Sequence, residues 1–172
     1  DVPLPVAAST VGPIPDGAAL GQSSIGQRDV APTPLQNASI AATIANGGVR
    51  MKPYLVDRRQ GPDLTVLEET KPESLGQAIS PEVSATLTDL MIGAENNAGG
   101  GGAIQGVQIA SKTGTAEHGN DPRNTPPHTW YIAFAPAQQP RIAVAVIVED
   151  GGDRALAATG GSVAAPIGRA VI

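Results

Sequence analysis

Three successive stretches in the second half of the chain constrain its fold more than any other feature. Residues 107–116 alternate, residues 129–135 hold three of the four aromatic residues, and residues 141–148 are rich in β-branched side chains. Only the short turn 136–140 separates the last two stretches, so we expect them to pair antiparallel. The polar loop 117–127 joins the first two. The pattern therefore predicts a three-stranded antiparallel sheet.

Two helices are predicted before this sheet. Residues 33–36 (Thr-Pro-Leu-Gln) form a capping box with proline at the first helical position, and residues 46–48 (Asn-Gly-Gly) favour a helix end. The apolar stripe expected on this helix is Leu35, Ala38, Ala42 and Ala45. A second helix is predicted from Ser80, with Val83, Leu87, Leu90 and Ala94 as its stripe.

The remaining segments carry weaker signals. Residues 54–57 and 64–67 flank Gly61 and Pro62, which predicts a small hairpin, and residues 162–172 predict a terminal helix on the sheet. Residues 1–31 show no periodicity, so we expect loops and turns there, at the cut edge of a longer domain. The run 99–102 is four glycines and is expected to be mobile without a ligand. Together the elements indicate a mixed α/β (α+β) fold.

Composition excludes several classes of function. The net charge is −5 with no basic run, which argues against a nucleic-acid surface. The longest apolar run, residues 142–148, is far shorter than the roughly 20 residues of a membrane helix. The absence of cysteine excludes disulfides and thiolate chemistry. The two histidines, His118 and His128, are too few and too far apart along the chain to indicate a metal site, and no cofactor is expected.

The sharpest local motif is Lys112-Thr113-Gly114-Thr115. In a strand, Thr113 and Thr115 share one face and Lys112 lies on the other. Two hydroxyls about 6.5–7 Å apart can both bond a carboxylate, while an adjacent ammonium attracts the anion. Glycine lets a substrate backbone come close. An ordinary exposed strand explains the same four residues equally well, and the motif alone favours that simpler interpretation.

Three blocks of sequence, in order, point further. The first runs from Gly26-Gln27 through residues 33–36 to residues 45–48, the second is 112–117, and the third is 128–136 followed by 142–149. They resemble the class B penicillin-binding proteins, the monofunctional serine D,D-transpeptidases, and most closely their mycobacterial and related actinobacterial members. The resemblance covers roughly residues 21–150. It implies a penicillin-binding transpeptidase fold, similar to that of serine β-lactamases.

The resemblance also implies roles for the motif. Lys112 and Thr115 would be catalytic: Lys112 would bond the serine of a Ser-x-Asn motif and keep the site electropositive. The Thr113 and Thr115 hydroxyls would bind the carboxylate of a β-lactam or of a peptide stem, beside Gly114. The Thr115 amide would be one oxyanion donor. No metal or organic cofactor is implied.

Two motifs of this family do not occur in the 172 residues. No serine is followed three places later by lysine, and none has asparagine two places on. We therefore expect residues 1–172 to be the C-terminal part of a transpeptidase domain whose nucleophile lies upstream, and to be inactive alone. The whole protein would cross-link peptidoglycan stem peptides through a serine acyl-enzyme and be inhibited by β-lactams. A β-lactamase or D,D-carboxypeptidase of the same superfamily, or a non-catalytic binding module, remains an alternative.

The implied partners are peptidoglycan stem peptides, β-lactams, the N-terminal half of the same protein and a membrane-embedded glycan polymerase. The implied location is the extracytoplasmic face of the cell membrane, through an anchor outside this chain. Among weaker candidates, Glu117 and His118 could form an acid–base pair, but a polar strand end explains them better. His128 is interpreted as loop-anchoring. Trp130, Tyr131 and Phe134 are interpreted as core residues because they alternate in a strand.

Overall fold

The structure, a computed structural model, describes residues 6–97 and 104–172. Its regular elements, in chain order, are helix α1 (Gly17–Ser24), helix α2 (Pro34–Ala45), strands β1 (Val49–Met51), β2 (Arg58–Gln60), β3 (Val66–Glu69) and β4 (Ser74–Gln77), helix α3 (Pro81–Asn97), strands β5 (Ala110–Ala116), β6 (His128–Ala135) and β7 (Ile142–Val148), an irregular 3₁₀ segment (Glu149–Ala157), a π turn (Gly160–Ala164) and helix α4 (Ala165–Val171). None of the helices within these ranges is both long and apolar enough to cross a membrane.

The central sheet has the strand order β5-β6-β7, with both pairs antiparallel. Thr113 faces Tyr131, which in turn faces Val146, so the three strands run in continuous register. The predicted three-stranded antiparallel sheet is confirmed. Strand β5 begins three residues later than predicted, because the chain turns near Gly106 before it joins the sheet. Among residues 6–97 and 104–172, strand β5 pairs with β6 on one side only, which makes it an edge strand of this sheet.

Each face of the sheet carries its own core. On one face, Phe134 and Ala110 pack with Ile44 of α2 and Met91 of α3. On the other face, Tyr131, Ala133 and Val144 pack with Ala164 and Ala165 at the start of α4, which confirms the predicted terminal helix. Tyr131 and Phe134 are the two fully buried aromatic rings, and the rest of both cores is aliphatic apart from Met91. The sheet is thus covered on both sides by helices, in a mixed α/β fold.

The predicted helix α2 is confirmed at both ends. The Thr33 hydroxyl accepts from the Gln36 N–H at 3.1 Å, and the helix ends before Asn46. Its predicted stripe is only partly right: Ala45 packs against the core from a half-buried position, but Ala41 and Ile44 are the buried residues and Leu35 is exposed. Apolar residues occur on several sides of this helix, so periodicity alone did not fix which side faces the sheet.

Helix α3 shows the same kind of error for a different reason. Val83 and Leu90 of the predicted stripe are exposed, and Leu87 is only partly buried. The buried positions are Ser84, Met91 and Glu95. Two of these are polar and find hydrogen-bond partners in the interior; Ser84, for example, donates to the Ile44 carbonyl at 2.6 Å. A pattern of apolar residues cannot reveal a face that is buried through paired polar groups.

Three further expectations are corrected or extended. Residues 17–24 form helix α1, capped by Asp16, where only loops were expected; two prolines and a glycine just before it hid the signal. The predicted hairpin exists, but its strands are β2 and β3, a few residues beyond the predicted ones. A second pair, β1 with β4, was not anticipated. The glycine run 99–102 lies outside the described residues.

Helix α4 approaches the sheet closely at one position. Gly168 lies directly against the Tyr131 ring, and a methyl group built on its Cα would overlap ring carbons Cδ1 and Cε1. Both residues are buried. Glycine therefore sets the distance between α4 and β6.

We predict that Gly168→Ala lowers the free energy of unfolding by about 1–3 kcal/mol, because the added methyl overpacks the Tyr131 contact. Gly93→Ala is the matched control, since Gly93 lies within helix α3 with no atom within 4 Å of an added methyl. That change should stabilise by about 0.5–1 kcal/mol. Urea unfolding followed by circular dichroism measures both, and equal effects of the two changes would contradict the close contact.

Candidate active site

A cleft of about 550 Å³ lies along the C-terminal part of β5. One wall is formed by the sheet and by the start of the loop after β5. The other wall is formed by the segment between α1 and α2 and by the first turn of α2. The lining residues are 25–28, 30–32 and Asn37 on one side, and 112–118, His128, Trp130, Ile132 and Ile147 on the other. The cleft thus contains all four residues of the Lys112–Thr115 motif, on the free edge of the sheet.

The register of β5 against β6 fixes where each motif side chain lies. Lys112 is opposite Ile132, whereas Thr113 is opposite Tyr131. Since directly opposed residues share a face, Lys112 and Thr113 lie on different faces of the strand, as predicted. Lys112 is exposed, and its ammonium donates to the Thr113 carbonyl at 2.6 Å. This contact holds the cation against the strand edge while leaving two of its three N–H donors free.

The two threonine hydroxyls share a face, and each can still donate its proton. The Thr115 hydroxyl accepts from the Gly160 N–H at 3.3 Å, which leaves its own proton available for an anion. Within residues 6–97 and 104–172, no hydrogen bond uses the Thr113 hydroxyl. Thr113 is half-buried and Thr115 is exposed, so both can be reached from the cleft. The arrangement suits a bound carboxylate.

Two glycines make this region narrow. Gly114 lies opposite Trp130, and a methyl on it would come 3.3 Å from the Trp130 Cβ. Gly160 starts the π turn, and a methyl there would lie 2.5 Å from the carbonyl oxygens of Gly114 and Trp130. The chain after the sheet can therefore lie directly on the β5 and β6 backbones beside Thr115. Gly160 was not predicted to contribute to the site, and the Gly160-Gly161 pair was its only local signal.

The two histidines are in contact, which the sequence analysis did not anticipate. Their rings stack at 3.8 Å between centroids, because β5 and β6 bring Ala116 opposite His128. His118 Nε2 lies 2.9 Å from the Pro126 carbonyl oxygen and 3.2 Å from Asp150 Oδ1, and both of these oxygens accept. The Asp150 N–H donates to His128 Nδ1 at 3.1 Å.

These contacts describe a hydrogen-bonded cluster at one end of the cleft. Although His118, His128 and Asp150 are close enough to suggest a metal site, His118 Nε2 acts as a donor and His128 Nδ1 already accepts. The parallel rings also point their lone pairs along separate planes. The cluster ties the loop after β5 to the end of β7, which agrees with a loop-anchoring His128.

Several residues of the cleft were not singled out from the sequence. Gln27, Arg28 and Asn37 supply polar groups to the wall opposite β5. Arg28 has a left-handed backbone conformation (φ 62°), which is uncommon for a residue other than glycine. Trp130 was expected in the core, but it is half-buried and lines the cleft. It lies on the same face of β6 as the buried Phe134, four residues before it, beside the cleft rather than in the core.

Behind the cleft, one buried carboxylate joins four elements of the fold. Glu95 of α3 accepts from the Arg169 guanidinium of α4 at 2.6 Å and from the Tyr131 hydroxyl of β6 at 3.0 Å. It also accepts a short hydrogen bond from the Ser111 hydroxyl of β5. Glu95 is only 8% exposed. No local pattern indicated this cluster, because its four members lie on four separate elements.

The protonation states of the cluster are set by these contacts. Burial alone raises the pKa of Glu95, but the hydrogen bonds from Arg169, Ser111 and Tyr131 outweigh burial and hold its pKa below the usual value. The bond to Glu95 raises the pKa of Arg169. Burial, together with the neighbouring carboxylate, raises the pKa of Tyr131 to about 12. The cluster is therefore a carboxylate, a guanidinium and two neutral hydroxyls.

A lowered pKa in the folded state gives the fold a pH dependence with a definite sign. The stabilisation by ionised Glu95 is fully present above its ordinary pKa of 4.5 and is lost as the pH falls below that value. We predict that Glu95→Gln reduces the fall in unfolding free energy between pH 5 and pH 3, whereas Glu69→Gln, at an exposed position on β3, does not.

Urea unfolding at several pH values measures this difference, and a carbon-13 titration of the Glu95 carboxyl in the unsubstituted protein measures the pKa directly. Equal pH slopes for the two variants, or a carboxyl that titrates at or above 4.5, would contradict the prediction.

Comparisons with known proteins place these residues in a family context. The model of the penicillin-binding protein transpeptidase domain matches residues 6–172. The chain is 70% identical over 171 residues to the peptidoglycan D,D-transpeptidase PbpA of Mycolicibacterium smegmatis, covering 99% of this chain and 35% of that protein. It is 69% identical over 170 residues to PbpA of Mycobacterium tuberculosis, again covering 99% of this chain and 34% of that protein.

Solved structures give the same result. The ceftriaxone acyl-enzyme complex of penicillin-binding protein A from M. tuberculosis superposes with a TM-score of 0.94 at 69% identity, covering 98% of this chain and 38% of that one. Penicillin-binding protein 2B of Streptococcus pneumoniae superposes with a TM-score of 0.70 at 28% identity, covering 85% of this chain and 26% of that one. The chain thus spans about a third of the length of the curated relatives it matches.

Proposed function

The chain belongs to the penicillin-binding protein transpeptidase domain family, and on this basis we propose that it forms part of a peptidoglycan D,D-transpeptidase that β-lactams inhibit. The observation that carries the proposal is the cleft along β5. There the motif residues Lys112 and Thr115 line a space large enough for a peptide or a β-lactam, and the Thr115 hydroxyl keeps its proton free for an anion. The acyl-enzyme structures of the mycobacterial relative support the same chemistry.

Binding of the substrate is assigned to the strand edge. The Thr113 and Thr115 hydroxyls would donate to the carboxylate of a stem peptide or a β-lactam, and the Lys112 ammonium would lower the energy of the anion by Coulomb attraction. Because β5 is an edge strand, its outward amides and carbonyls can pair with an extended substrate as an added strand. Gly114 leaves room for that close approach.

Stabilisation of the reaction intermediate is assigned to Thr115. Its backbone N–H would be one of two donors to the oxyanion that forms when a serine attacks the substrate carbonyl. Such a donor typically contributes about 2.7–4 kcal/mol to the transition state. Lys112 would also bond the serine of a Ser-x-Asn motif, which would place it at the boundary between this chain and the rest of the site.

The proposal requires groups that these 172 residues do not contain. Neither a Ser-x-x-Lys nor a Ser-x-Asn motif occurs in the sequence, and the matched relatives are about three times as long. We therefore assign residues 1–172 to the C-terminal part of the transpeptidase domain of a longer protein. That protein would work on the extracytoplasmic face of the cell membrane, beside a membrane-embedded glycan polymerase.

Fluorescent penicillin tests the assignment in the full-length protein. The reaction should give a stable labelled adduct, whereas a β-lactamase would release the label by rapid hydrolysis. We predict that Thr113→Val and Thr115→Val each reduce the second-order acylation constant about tenfold to hundredfold, since each removes a hydrogen bond to a carboxylate. Thr86→Val, an exposed threonine of α3 that does not line the cleft, is the matched control.

The 172-residue chain by itself should remain unlabelled, because it lacks the nucleophile. A folded full-length protein that does not react, or cleft variants that react as fast as the Thr86 variant, would overturn the proposal.

A further inference from the structure

We propose that Glu95 is a positioning residue for acylation, which acts through Ser111 to fix the edge strand where Lys112 and Thr113 enter the cleft. This inference rests on the proposed function and assigns a role in it to a group outside the cleft. Glu95 and Ser111 are not lining residues of the cleft, and neither is given a part in the chemistry above.

Ser111 lies in the interior of the protein, near the start of β5. It is 1% exposed, immediately precedes Lys112, and is on the same face of β5 as Thr113. Its hydroxyl donates to Glu95 Oε2. This side-chain bond therefore leaves β5 one residue before the motif begins.

Strand β5 depends on the hydrogen bond between Ser111 and Glu95 more than strand β6 depends on a side-chain anchor. Strand β6 is held by backbone hydrogen bonds to β5 on one side and to β7 on the other, whereas in the part of the chain that the structure describes β5 pairs only with β6. The free side of β5 faces the cleft, where a substrate is proposed to add. A strand held along one edge can shift or twist more easily, so an anchor to helix α3 restricts the motif.

The Glu95 carboxylate is itself held in place by two other donors. Arg169 Nε donates to Oε1 at 2.6 Å, and Tyr131 donates to Oε2 at 3.0 Å, so both carboxylate oxygens are engaged. The Arg169 guanidinium also lies 5.8 Å from the centroid of the Tyr131 ring. The carboxylate therefore presents a fixed acceptor to Ser111 rather than a mobile one.

Packing alone does not account for the burial of the charged Glu95 and Arg169 side chains. A buried ion pair is often no more stabilising than apolar residues of similar volume, because both charges lose their hydration. What the carboxylate offers beyond packing is direction: three donors from three elements converge on two oxygen atoms. A catalytic group displaced by 1 Å can lose about a hundredfold in rate. The geometry thus gives the cluster a use in fixing the position of the strand.

Two variants separate positioning from general stability. Ser111→Ala and Tyr131→Phe each remove one hydroxyl that donates to the same carboxylate oxygen, and each leaves the Arg169 ion pair intact. They differ in the strand they release: the first frees the edge strand β5, and the second frees the central strand β6. If the cluster only stabilised the fold, the two variants would have the same effect on the acylation rate constant.

The experiment uses the full-length protein and a fluorescent penicillin, mixed rapidly at several concentrations to obtain the acylation rate constant k2 and the pre-acylation constant K separately. Thermal unfolding of each variant ensures that the folded fraction is compared. We expect Ser111→Ala to lower k2 about tenfold and Tyr131→Phe to leave k2 within about twofold, even where their losses in melting temperature are similar. Should Ser111→Ala not fold, Ser111→Cys replaces it, with the same expected direction of change in k2, because a thiol is a weak donor and the Arg169 ion pair stays intact.

Each result decides the matter. An unchanged k2 in the Ser111 variant, or an equal fall in both variants, would overturn the positioning role while leaving the transpeptidase assignment intact. A full-length wild-type protein that is not acylated at all would overturn the proposed function and this inference with it.

Discussion

The buried carboxylate of Glu95 is the constraint on which the arrangement of the sheet and its covering helices depends. Glu95 lies in the last turn of α3 with its side chain buried, and a charge in that place is tolerated only when donors surround it. The donors come from β5, β6 and α4, that is, from the strand that carries the motif, the centre of the sheet and the last helix. Because all three donors meet at one carboxylate, the positions of β5, β6 and α4 relative to α3 depend on the same group.

The site follows from where this arrangement leaves an unpaired edge. Helices cover both faces of the sheet, but the outer side of β5 stays open beside the cleft. Exposed strand edges usually invite unwanted pairing, and proteins tend to cover or shorten them. Here the edge is backed by Glu95 on one side and approached by Gly160 on the other. An open edge with firm support suits the capture of an extended substrate.

Local signals predicted much of this structure, whereas features that depend on distant partners were missed. Strand alternation and the short turn before Pro140 gave the sheet and the opposite faces of Lys112 and Thr113, because both depend on neighbours in sequence. The buried polar positions Ser84 and Glu95, and the stacked histidines, depend on partners from distant elements. Resemblance to a family identified the motif residues, but it could not show that Trp130 lines the cleft.

The placement of Lys112 and Thr113 on opposite faces of one strand has a mechanical consequence. If β5 were rotated about its long axis, the Lys112 ammonium and the Thr113 hydroxyl would move in opposite directions. One group would then approach a ligand in the cleft as the other moved away from it. The Coulomb attraction exerted by Lys112 and the hydrogen bond donated by Thr113 therefore both depend on the rotation angle of the strand. A substitution at one of the two positions changes only that group's contribution, whereas a change that alters the rotation of the strand shifts both together.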